Sequence, residues 1–259
     1  MTEEEKAEEE NQENPEGEGE EKKEEAPVLD EQEQKDLEED KAEEEKDKEE
    51  EQVLDEEGNP VPGGGSKQPQ NPLKLQMLKD NLQNLVKTFD GLSYSFTKLD
   101  IHEKELDGLG EELGNYTLLR DFNCSNNKIR DINHLSKMTY ISLIDASINS
   151  IKDISMFNVE GSFQYLQSLN LSENRISDCS CFTGLLKLKK LNLNQNKIKS
   201  CKGLSNCPKL DVLYLNQNRI KDLNGIENLP LLRKLRLSKN RIKEFEYLPD
   251  LPNLQKLTI

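Results

Sequence analysis

The sequence predicts an α/β solenoid: a horseshoe of stacked repeats with a parallel concave β-sheet, an N-terminal helical cap, and a disordered acidic tail ahead of both. Three observations carry this expectation. From Phe96 onward, apolar residues and asparagine recur with a period of about 22 residues, within the range of solenoid repeats. Before that, Leu75, Leu78, Leu82, Leu85, Val86 and Phe89 recur at intervals of three and four, the spacing of one helix face. The charge is also divided. Residues 1–70 hold 30 Asp+Glu against 8 Lys, and residues 71–259 hold 21 against 27 Lys+Arg. A net charge of −16 therefore joins a segment of −22 to a weakly basic one of +6.

Residues 1–57 are rich in Glu, Lys and Gln, and all seven Phe and six Tyr lie beyond residue 70. Such a segment lacks the apolar surface to offset the entropy of ordering, so it is expected to be a disordered acidic tail, transiently helical in places. Val28-Leu29-Asp30-Glu31 returns as Val53-Leu54-Asp55-Glu56. That is either a coincidence of biased composition or a pair of docking motifs. Residues 58–72, dense in Gly and Pro, read as a linker. The apolar stripe then predicts a helix over about 73–89 within a helical cap spanning 73–95, with Gly91 just past the helix end.

Residues 96–259 form the repeat region. Copies start at Phe96, Leu119, Ile141, Leu166, Leu188, Leu210 and Leu232, with a partial eighth at Leu254. The register reads apolar residues at positions 1, 4 and 6, Asn at 9, and apolar residues again at 11, 14, 17 and 20. Leu188-Leu191-Leu193-Asn196-Ile198 and Leu210-Leu213-Leu215-Asn218-Ile220 are the cleanest. This is the leucine-rich-repeat pattern, seven copies plus a partial one. Positions 1, 4 and 6 place a short strand with alternate side chains inward, and no copy buries its apolar side without a neighbour. Asn127, Asn149, Asn174, Asn196, Asn218 and Asn240 form a structural ladder. Their amides, with donors and an acceptor, are suited to backbone groups left unpaired where the chain bends inward.

Two departures stand out. The Phe96 copy has Lys104 at position 9, as befits a degenerate terminal repeat. The step from Ile141 to Leu166 is longer than every other, with the surplus around Met156–Phe163. Phe and Val there either offer a binding surface or turn inward and plug the core. The chain stops inside the eighth strand with no polar C-terminal cap. The open end is expected to be covered by sequence beyond Ile259 or by a partner, the former favoured.

No catalytic constellation emerges. The two histidines, His102 and His134, join no Cys/Asp cluster at ligand spacing, and no phosphate-binding or nucleophile motif is present. No catalytic residue, cofactor site or metal site is expected, and the chain reads as a non-enzyme. Cys124, Cys179, Cys201 and Cys207 fall at core positions, leaving Cys181 as an outward thiol. The odd number of thiols, the absence of a long apolar run and the acidic start predict a reduced, cytoplasmic protein without a membrane span. The functional weight falls on the outward strand positions of the concave face. These shift from acidic (Asp100, Asp121, Asp145) to basic (Lys190, Lys234, Arg236), with Val212 and Tyr214 between. The face is either an ordinary solvated sheet or a partner-docking patch. A dense basic stripe with stacking aromatics is missing, so nucleic acid is not expected.

Repeats ending in segments such as Glu227-Asn228-Leu229-Pro230-Leu231-Leu232 resemble the SDS22-like class. The stretch Asp90-Gly91-Leu92-Ser93-Tyr94-Ser95-Phe96-Thr97-Lys98-Leu99-Asp100, with Leu106 to Leu119 after it, resembles the leucine-rich repeat-containing protein 23 family of ciliary radial-spoke proteins. The resemblance implies a structural adaptor of the ciliary axoneme, bound to other radial-spoke or axonemal proteins. Members of that family continue into a cap and a charged extension thought to help attach the spoke head. Two other functions are implied by resemblance: regulatory subunit of a phosphatase or similar soluble enzyme, by analogy with SDS22 itself, and nuclear chaperone for basic proteins such as histones, by analogy with the acidic nuclear phosphoprotein family, whose acidic tail follows its repeats.

Overall fold

The computed structural model describes residues 71–159, 161–243 and 249–259, together with Lys35, Glu38, Lys41, Ala42 and Glu45, which are helical and exposed. The chain divides into two units, Met1–Lys67 and Gln68–Ile259. Apart from those five positions, the expected disordered tail and nearly all of the expected linker lie outside the described residues.

The second unit is a parallel solenoid. One short helix, α1 (Leu75–Asp80), precedes a single nine-stranded sheet in strict chain order. Its strands are β1 (Leu82–Lys87), β2 (Tyr94–Asp100), β3 (Asp121–Asn123), β4 (Leu143–Asp145), β5 (Ser168–Asn170), β6 (Lys190–Asn192), β7 (Val212–Tyr214), β8 (Lys234–Arg236) and β9 (Lys256–Thr258). Each of β3–β9 occupies positions 3–5 of its repeat, and every pairing from β2 onward is parallel and in register, as in Leu191↔Leu213↔Leu235↔Leu257. The return segments carry short 3-10 turns at Glu111–Asn115, Asn133–Lys137, Ser155–Asn158 and Leu204–Asn206. Between sheet and turns lies one continuous core. In the repeat from Leu188, the residues at positions 1, 4, 6, 11, 14, 17 and 20 are all buried: Leu188, Leu191, Leu193, Ile198, Cys201, Leu204 and Cys207.

The cap departs from the expected helix over 73–89. α1 ends at Asp80, where Asn81 caps it. The Asn81 backbone N–H reaches the Leu78 carbonyl at 3.2 Å, and its Nδ2 the Met77 carbonyl at 2.7 Å. The chain then forms β1, antiparallel to β2. A helix continued to residue 89 would leave one side of β2 without a hydrogen-bonding partner, and β1 supplies it. Gly91 is a turn residue (φ 72°), not a helix stop, in a hairpin where the Asp90 carboxylate accepts from Leu92 N–H and Thr88 Oγ1. Leu78 is buried as the stripe requires, but Leu85, Val86 and Phe89 are exposed.

The long repeat resolves in two directions. Met156, Phe157 and Phe163 are buried, with Phe157 packed on Phe163 (ring centroids 4.8 Å) and on Phe182 (5.6 Å). Val159 stays exposed. The extra length is therefore fixed by aromatic plugs that fill the wider turn.

The concave sheet face as candidate functional site

The face is held in shape by the asparagine ladder behind it. Each Nδ2 donates to the position-6 carbonyl of its own repeat and of the preceding one, and each Oδ1 accepts from a backbone N–H of the preceding repeat. For Asn196 these are Leu193 O (3.2 Å), Leu171 O (2.9 Å) and Ile176 N (3.0 Å). Asn149, Asn174, Asn218 and Asn240 repeat the arrangement. Asn127 accepts from both Lys104 and Leu106 N–H groups. Where the first repeat carries Lys104 in place of the ladder Asn, Asn71 donates to the carbonyls of Lys104 and Glu105.

In front of the ladder, side chains at positions 5 and 7 interlock across strands. Asn123 Nδ2 donates to Asp100 (3.0 Å) and Asn170 Nδ2 to both Asp145 oxygens (3.1 Å each). Ser147 Oγ donates to Asp145 at 2.6 Å. His102 Nδ1 lies 2.6 Å from Asp100 and Lys98 Nζ 3.7 Å from it. Partial burial alone would raise the Asp100 carboxyl; the His102 hydrogen bonds, with the charges of His102 and Lys98, outweigh it and hold the group below its ordinary value.

Of the predicted docking residues, Asp100, Asp121, Asp145, Tyr214 and Arg236 are half-buried on this face, and Lys190 and Lys234 are exposed. Val212 shares the face but is largely covered. It stands between Lys190 and Lys234 on the flanking strands, is shorter than both, and is only 9% exposed. It lies on the concave side, opposite inward-facing Leu213, and offers little surface of its own. Arg236 lies over the Tyr214 ring, 4.8 Å from its centroid, so the two form one unit. Asp121 pairs in the ladder with Lys98 and Leu143, the latter exposed. The acidic and basic residues occupy opposite halves of the sheet: β2–β4 for the three aspartates, β6 and β8 for the cations.

Sequence reasoning passed over two features. Lys256, at position 3 of the partial eighth repeat, adds a cation to the basic half. It follows from the register once that last, partial copy is counted. The residues just before position 1 line one rim, where Tyr140 stacks on Tyr165 (5.7 Å) and Lys187 Nζ sits 4.3 Å above the Tyr165 ring. Two tyrosines separated by the same interval as Ile141 and Leu166 were the available signal.

The five thiols are free. Burial drives all of them upward, Cys201 and Cys207 to about 12 and Cys181 to about 11. Cys181 is not the outward thiol expected of it: it is half-buried and packed against the core. Among the described residues, no group of three or more His, Cys, Asp or Glu is placed to hold a metal ion, and no helix is long and apolar enough to cross a membrane.

Known proteins share the repeat. The family models "Leucine Rich repeats (2 copies)" and "Leucine Rich Repeat" match residues 186–228 and 165–185. Leucine-rich repeat-containing protein 23 of Homo sapiens is 31% identical over 107 residues, and its Bos taurus counterpart 30% over the same length. In both cases the match covers 41% of this chain and 30% of the relative, so the likeness spans under a third of those proteins. An internalin of Listeria monocytogenes superposes with a TM-score of 0.55 at 28% identity, over 62% of this chain and 47% of that one. A leucine-rich-repeat protein of Leptospira interrogans gives 0.57 at 23% identity, over 63% and 42%, a likeness of fold. Register, sheet topology and these matches agree on a leucine-rich-repeat fold for the second unit, and the chain is similar over 107 residues to leucine-rich repeat-containing protein 23.

Proposed function

We propose that this protein is a non-enzymatic scaffold that docks protein partners on its concave sheet face, and that it serves in the cytoplasm as a structural adaptor of the ciliary axoneme, within the radial spoke. The observation that carries the docking reading is the face itself. Its parallel strands are locked in register by the asparagine ladder and present interlocked polar side chains, acidic at one end and basic at the other. Such a surface is preorganised, so a partner does not have to order it on binding. Curved repeat arrays of this kind offer extended concave binding surfaces. The axonemal assignment is supported by the 107-residue likeness to leucine-rich repeat-containing protein 23.

Tagging the full chain in a ciliated cell tests the assignment. The expected result is a signal along the axoneme that survives detergent extraction. A wholly soluble cytosolic signal, or a stoichiometric phosphatase or histones as the recovered partner, would overturn it.

A further inference from the structure

The basic half of the concave face contains a cleft. It is an open depression of about 430 Å³ across β8 and β9 and the bends that follow β7 and β8. Three cations line it, Arg236, Lys239 and Lys256, with the neutral polar groups of Asn216, Ser238 and Thr258. No carboxylate is among its lining residues. Among the described residues the pocket therefore has a formal charge of +3 and no lining counter-ion, whereas Lys98, Lys190 and Lys234 on the same face have a carboxylate at hand. Lys98 lies beside Asp100, and Asp211, held by Arg233, sits near Lys190 and Lys234.

The cleft is also preshaped. Asn216 Oδ1 accepts from Ser238 N–H at 2.9 Å, which fixes the floor between two repeats. Arg236 is stacked over Tyr214, which restricts its guanidinium before any ligand arrives. A planar, restrained guanidinium beside two lysines suits carboxylate recognition, because a fork of parallel N–H donors matches the two oxygens.

We propose that this cleft is the anchoring subsite of the concave face and that it takes an acidic peptide segment of a partner protein, with Arg236 gripping one carboxylate and Lys239 and Lys256 its neighbours. The proposal rests on the docking reading of that face and names its ligand chemistry. A nucleic acid strand fits less well. The aromatic beside the cleft, Tyr214, already carries Arg236 over one face, which leaves a base less of the ring to stack on.

The test uses the full chain and fluorescein-labelled hexaglutamate, read by anisotropy at 50 and 150 mM salt. Saturable binding is expected, weaker at the higher salt. Arg236→Ala combined with Lys256→Ala should weaken it roughly tenfold, and Lys239→Ala severalfold. Lys98→Ala, at the far end of the same face, should stay within twofold, and unchanged circular dichroism would show that the variants fold. Absence of saturable binding, or an equal loss with Lys98→Ala, overturns the proposal. Stronger competition by hexathymidylate than by unlabelled hexaglutamate overturns it too, reassigning the cleft to a phosphate backbone. Axonemal retention without peptide binding would remove the acidic ligand and leave the scaffold standing. Peptide binding without axonemal retention would do the reverse.

Discussion

Asn196 serves two repeats at once. Its amide donates to carbonyls of Leu171, Leu193 and Asn194 and accepts from Ile176 N–H, in a setting only 8% exposed. Asn196→Leu would leave those groups in the interior without partners, and the expected cost is about 1–3 kcal/mol by chemical denaturation. An unchanged midpoint would contradict the ladder's role. One residue earlier, at position 8, the backbone is left-handed in every full repeat: Glu103, Asn126, Ile148, Glu173, Gln195, Gln217 and Lys239 have φ between 52° and 58°. That turn brings the ladder residue inward and points N–H groups at the next repeat, as in Asn126 N to Ser147 O (2.9 Å). The ladder was legible because its residue type recurs. The left-handed position was not, because its occupants share no chemistry. Ile148 is the most strained of them, being β-branched and 43% exposed. Ile148→Asn is expected to stabilise the fold by about 1 kcal/mol, since asparagine tolerates this conformation. A loss of stability would show that the Ile148 side chain makes a contact worth more than the strain.

At the scale of elements, the repeat register placed strands β3–β9, and neither the antiparallel β1 nor the connections were legible in it. A register of apolar positions 1, 4 and 6 leaves one place for a three-residue strand, and β3–β9 lie there. The cap misled because leucines at intervals of three and four fit both a helix and a helix followed by a strand. The deciding signals were short-range: Asn81 as a cap, and Thr88, Asp90 and Gly91 as a hairpin turn. A second polar series also escaped notice. Asp131, Asp153, Asp178 and Asp222, all at position 13, accept from the N–H two residues on and start the return turns. Gly203 and Gly225 hold two return turns against the neighbouring repeat. A Cβ on Gly225 would lie 2.5 Å from the backbone of Cys201 and Lys202, at a φ of 101°. Gly225→Ala is therefore expected to destabilise by about 1–3 kcal/mol or more, since left-handed strain adds to a backbone clash. A midpoint within error of the parent would mean that the turn relaxes freely.

For the whole molecule, the charge division read from composition acquires a spatial form in the second unit. Its excess of cations is not spread evenly over the sheet: the half spanning β6–β9 carries Lys190, Lys234, Arg236 and Lys256, and the half spanning β2–β4 carries the three aspartates. The sequence revealed the gradient because strand positions could be counted. It could not reveal that Val212 is covered by its neighbours, that Tyr214 and Arg236 act together, or that Lys239 joins them from a bend, since each depends on which side chains meet across repeats. A dipolar, preorganised face should confer orientation on a partner as well as affinity. The most direct test is detergent-resistant retention on axonemes of the full chain against a concave variant combining Asp121→Lys, Tyr214→Ala and Lys234→Glu. A variant altered only on the opposite surface, Lys137→Glu, serves as control. The account predicts that the parent and the control are retained and the concave variant is released while still folded; retention of the concave variant at the parent's level would contradict it.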